Sequence, residues 1–187
     1  MKTKSIAIFS VLLSLASTGL AYGNDYRAPD VPDTLQVPVG YKISFHAHAT
    51  GVQIYTARVS ATDATKLVWE FTAPEAVLYD SDGEVVGSHY AYAGPTRPAW
   101  ESGSGSIVIA SRSVPPVIVD PAAIPWLVLD GIQSAGPGIF KDTVFIQRVN
   151  TTGGLAPSTP PTQVGEEVRI PYTAEYVFFR ATKATME

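Results

Sequence analysis

The feature that most constrains this chain is its rhythm. Short apolar runs are closed again and again by Gly, Pro, Asp or Asn, and no long segment repeats apolar residues at the three-and-four spacing of a helix. Such a pattern specifies strands joined by turns. Ile43, Phe45 and Ala47 alternate with Ser44, His46 and His48 over Lys42–His48. After a turn expected at Gly51, Val52–Val59 reads as a second strand. Leu67, Trp69 and Phe71 alternate with Val68 and Glu70 in a third, which places Trp69 in the core. Ala76–Tyr79 and Glu84–Tyr90 flank Asp80-Ser81-Asp82-Gly83, a hairpin signal because Gly83 accepts the positive φ that a tight turn demands.

Further strands are expected over Ser106–Ser111, Val114–Val119, Thr143–Val149, Val168–Tyr172 and Tyr176–Arg180. A short helical turn is expected to start at Pro121, capped by Asp120, and to run toward Leu129. Gly94–Gly105 and Asn150–Gly165 read as long loops. The expected fold is all-β: a single-domain antiparallel β-sandwich or β-barrel of about eight to ten strands with long loops. Its length of 187 residues, with 15 Gly and 15 Pro, fits one turn-rich domain with a substantial core.

The first residues carry an address. Lys2 and Lys4 precede an apolar run from Ile6 to Leu15, and small residues cluster at Gly19, Ala21 and Gly23. This is the order of a secretory signal, and the apolar run is shorter than the roughly 20 residues of a spanning helix. The domain reading is therefore a signal peptide over 1–23, an extended arm over 24–38, a single β domain over 39–182 and a tail over 183–187. The expected location is secreted or periplasmic, without membrane insertion.

Composition removes several chemistries. With no Cys there is no disulfide, no thiol nucleophile and no thiolate-held metal. A net charge of −4 with 13 scattered basic residues argues against nucleic acid as a partner. Gly87-Ser88-His89-Tyr90-Ala91 lacks the second Gly of a nucleophile elbow, and no phosphate-cradling Gly loop is present.

Two constellations remain. His46 and His48, two apart on a strand, share a face, and His89 is the third imidazole of the chain; together they could ligate zinc or copper and support a metal-dependent enzyme. A polar strand face that happens to use His accounts for the same pattern without a metal, and the leading reading carries no cofactor. The second constellation is aromatic. Tyr92 and Trp100 sit in or beside the Gly94–Gly105 loop, His89 leads into it, and Trp126 and Arg148 are further members of a ligand-binding set. That set points to a non-catalytic binding or cell-envelope-associated module for a small molecule or glycan. Asn150-Thr151-Thr152 is a glycosylation sequon in a eukaryotic setting. No pattern in the chain sets an oligomeric state.

A series of motifs then falls in order: Gly51-Val52-Gln53-Ile54-Tyr55; Trp69 with Ala73-Pro74-Glu75-Ala76; His89-Tyr90 with Gly94-Pro95-Thr96 and Trp100-Glu101; Ile124-Pro125-Trp126-Leu127; Ile146-Gln147-Arg148-Val149-Asn150-Thr151 with Gly153-Gly154; and Pro171-Tyr172-Thr173-Ala174-Glu175-Tyr176. Over Leu35–Arg180 the chain resembles the secreted family known as domain of unknown function 3455, found in bacteria and fungi. The resemblance implies export and a compact β fold, and it implies no settled activity. Relatives often place Trp directly after Gly-Pro-Thr, where this chain has Arg97-Pro98-Ala99 before Trp100. They also often carry cysteines that this chain lacks, so any role of those cysteines does not carry over. Some relatives bear a malate dehydrogenase label, but this chain has no dinucleotide-binding fingerprint.

Overall fold

The computed structural model describes residues 27–182; the expected signal peptide and C-terminal tail lie outside them. Eight strands follow one another around a closed antiparallel barrel: β1 (Tyr41–Val59), β2 (Leu67–Tyr79), β3 (Val85–Ala91), β4 (Pro98–Ser102), β5 (Ile107–Ser111), β6 (Leu127–Ala135), β7 (Phe145–Gly153) and β8 (Glu167–Ala181). Each strand pairs with the next, and β8 closes onto β1. Of the two all-β architectures expected, the chain adopts the barrel. Closure leaves no open sheet edge.

Strand alternation sorts the residues. On β1, Phe45, Ala47 and Ala49 join an interior cluster with Leu78, Trp100, Ile146, Tyr176 and Phe178. Small residues on β1 leave the width of the barrel to the large rings opposite. The opposite face of β7 and β8 carries a second cluster of Val149, Val177 and Phe179, covered by Val31, Val37, Ile43 and Trp126. The arm thus lies against the outside of the barrel. Its one 3₁₀ turn, Asp33–Leu35, buries Leu35 fully, and the Leu35 carbonyl accepts a 2.7 Å hydrogen bond from Gln147 Nε2.

Several expectations are corrected. Lys42–His48 and Val52–Val59 are one strand, because Gly51 is not a turn. A Cβ there would overlap the Glu75 carbonyl oxygen and the Ala76 side chain, so Gly51 lets β1 and β2 approach. A bulge between Ile43 and Phe45 absorbs Ser44 and sends Ile43 to the outer cluster. Ala76–Tyr79 likewise continues the Leu67 strand, and Val168–Tyr172 runs on into Tyr176–Arg180. Val114–Val119 forms only the bridge Val117 to Trp126. Pro121 begins a turn held by Asp120 Oδ1 to the Ala122 N–H at 2.8 Å, and the chain then enters β6 instead of a helix. Trp69 is half-buried, and its Nε1 donates to the Thr159 carbonyl at 2.9 Å, so it anchors the β7–β8 loop and does not fill the core. Pro98–Ser102 is strand β4, so the expected Gly94–Gly105 loop is two short turns either side of it. The Asp80–Gly83 hairpin forms as expected, with Gly83 at φ 82°.

The two barrel ends differ. At one, the β6–β7 connection folds Phe140 into the interior, where its ring lies 4.7 Å from Phe178 and 6.2 Å from Phe45. Phe140 is fully buried, and its N–H donates to Ser106 Oγ at 3.2 Å, which locks this plug in place. The other end, ringed by the β1–β2, β3–β4, β5–β6 and β7–β8 connections, holds a cavity.

Candidate functional site: a cavity at the open end of the barrel

The cavity has a volume of about 720 Å³. Its floor is Trp100, His89 and Tyr176. The indole and imidazole stack at 4.4 Å and 14°, and Tyr176 lies 4.9 Å from the imidazole and 5.2 Å from the indole. His89 reaches inward because it pairs with Trp100 across β3 and β4, both on the inner face. Its Nδ1 lies 2.8 Å from the Ala99 carbonyl, which only accepts; Nδ1 therefore carries the proton and Nε2 is left as an acceptor. Burial above all drives its pKa down to about 3, so the ring is neutral at physiological pH.

Arg148 enters the cavity from β7. Its Nε and Nη2 both donate to the Pro125 carbonyl, at 3.1 and 2.8 Å. Burial raises the pKa of Tyr55, Tyr172 and Tyr176, while the Arg148 charge opposes that rise at each. A guanidinium thus sits among protonated phenols. Tyr55 Oη donates to the Gly154 carbonyl at 2.7 Å, which fixes one wall. Two buried donors beneath the lining, Gln53 Nε2 and Trp100 Nε1, make no hydrogen bond of good geometry among the described residues, and the Gln53 amide lies near enough to the Tyr172 hydroxyl to pull its pKa down. Phe71, Leu127, Leu129 and a series of prolines supply apolar wall.

Of the residues expected to bind a ligand, His89, Trp100 and Arg148 line this one cavity. Tyr92 does not: it is 53% exposed on the β3–β4 connection. Trp126 packs on the outer cluster. Trp100 is a strand residue with 0% exposure, so it forms the cavity floor within the core and is not a loop aromatic. Sequence reasoning missed Gln53, Tyr55 and Tyr176. A signal existed for Gln53: it is the one amide in the inward set Ala47, Ala49, Gly51, Gln53, Tyr55.

The three histidines are not brought together. His46 and His48 alternate with the interior residues Ala47 and Ala49, so they point outward, stacked at 6.2 Å, while His89 points into the barrel. His46 Nε2 lies 3.2 Å from Glu175 Oε2, and that contact foremost, with the Asn150 amide, holds the Glu175 carboxyl below its usual range. Among the described residues no three His, Asp or Glu side chains cluster as a metal site.

Fold and site together define an eight-stranded up-and-down barrel with one plugged end and one cavity-bearing end. The chain belongs to the family described as Protein of unknown function (DUF3455), which it matches over residues 38–180. No curated protein and no solved structure matches it. Among the described residues no helix is long and apolar enough to cross a membrane.

Proposed function

We propose that this chain is an exported, non-catalytic binding protein that takes a small molecule into the open end of its barrel. The observation that carries the reading is the cavity of about 720 Å³, in which Arg148 and His89 stand among apolar walls. A few polar groups converging in an apolar concavity is the usual make-up of a small-molecule site. Export is supported by Lys2, Lys4, the apolar run after them and the small residues around Ala21.

A small molecule is favoured over a glycan. Trp100 is inside, Trp126 packs against the outer cluster and Trp69 is held by the β7–β8 loop, so none offers an open indole platform at the mouth. The test is a thermal-shift screen of a diverse small-molecule set at millimolar concentration, followed by Trp fluorescence on each hit. Ligands that bind only the folded barrel raise Tm, and the rise grows with the logarithm of ligand concentration above Kd. Hits that also change the emission of Trp100, and lose that effect in Trp100→Phe, support the reading. A screen without a single shift overturns it.

A further inference from the structure

We propose that the cavity is built for an organic anion, a small aromatic carboxylate whose charged group docks on Arg148 and whose ring lies against Phe71 and Leu127. The proposal rests on the binding reading above and gives it a ligand class. Three observations carry it.

The first is charge. The lining holds Arg97, Arg112 and Arg148 and no Asp, Glu or Lys, in a chain whose formal net charge is −4. Acidic residues outnumber basic ones overall, and at this opening the order is reversed. The second is the state of Arg148. It is half-buried, and no carboxylate lies within ion-pair reach of it among the described residues. Its hydrogen bonds to Pro125 use Nε and one Nη2 hydrogen, which leaves the rest of the guanidinium to the nearby Tyr176 hydroxyl and to a ligand. A partly desolvated guanidinium commonly meets a carboxylate, whose charge offsets more of the lost hydration than a carbonyl does.

The third is the apolar room beside the guanidinium. An inorganic anion would satisfy Arg148 but would leave most of the about 720 Å³, with Phe71, Leu127 and Leu129, unfilled.

The test is calorimetry on the purified chain with 1-naphthoate and its uncharged isostere 1-naphthamide. The acid is expected to bind about tenfold or more tightly than the amide, the scale of one charge-assisted hydrogen-bond pair. Arg148→Met should bring the acid down to the affinity of the amide. Because that variant also frees the Pro125 carbonyl, Arg97→Gln/Arg112→Gln, on exposed connections, is measured beside it and should weaken the acid alone. Equal binding of acid and amide to the parent chain, or unchanged acid affinity in both variants, overturns the anion class and leaves the binding reading standing. Binding of neither probe at millimolar concentration overturns both.

Discussion

The imidazole of His89 lies nearly parallel to the indole of Trp100, at 4.4 Å between ring centroids, with both rings buried inside the barrel. Neighbouring strands β3 and β4 place them opposite one another, and the Ala99 carbonyl fixes the imidazole tautomer. The pair is at once core and cavity floor. Stability and the proposed binding therefore meet in the same two side chains.

Trp100→Ala should cost about 3–5 kcal/mol, the scale of deleting a fully buried aromatic. Trp69→Ala should cost clearly less, because Trp69 is half-buried and contributes mainly its hydrogen bond to Thr159. Urea melts of the two variants give the comparison. Equal losses would show that Trp69 shares the core after all.

Acid should destabilise the fold through His89. In the folded chain the ring takes a proton only below about pH 3, against 6.5 in the ordinary state. Between those values unfolding takes up a proton, so stability is full above pH 6.5 and falls as pH drops toward 3. The slope from this residue approaches about 1.4 kcal/mol per pH unit. In His89→Asn the amide N–H replaces Nδ1–H at the Ala99 carbonyl without titrating, so its stability should be flatter over that window. The difference between the two chains, measured by denaturation from pH 7 downward, isolates His89 from Glu175, whose lowered pKa also costs stability in acid. Parallel curves would exclude a buried neutral imidazole.

Leu35→Ala should cost about 2–5 kcal/mol, although Leu35 lies in the arm ahead of the first strand. Its side chain is fully buried against the outside of the barrel, and its carbonyl receives the Gln147 amide. A thermal or urea melt indistinguishable from the parent would mean that the arm is dispensable.

Export predicts a mature chain that begins at Tyr22 or Asn24. Intact-mass measurement on protein recovered from the periplasm or the medium reads this directly. A mass that retains Met1–Gly23 removes the export half of the proposed function.

By itself the sequence determined the all-β class, the Asp80–Gly83 hairpin and the shared face of Phe45 and Ala47. Each rests on local physics: period-two alternation, and a Gly where φ must be positive. It also singled out His89, Trp100 and Arg148, because chemically distinctive side chains are visible without coordinates. It did not decide which partners they meet. The Val52–Val59 strand became continuous with Lys42–His48 only because the backbone of β2 comes close to Gly51, a long-range contact with no local mark. β6 stayed hidden behind a Pro-initiated turn whose local signals match those of a helix start.

His46 and His48 were separated from His89 by barrel closure: one strand shows the histidine face to the outside, another turns its histidine inward. The same closure brought Gln53, Arg148 and Tyr176, from β1, β7 and β8, around one cavity. Local pattern sets the face of each strand. Only the order in which strands close, and the register at which they do so, decides which faces share an interior.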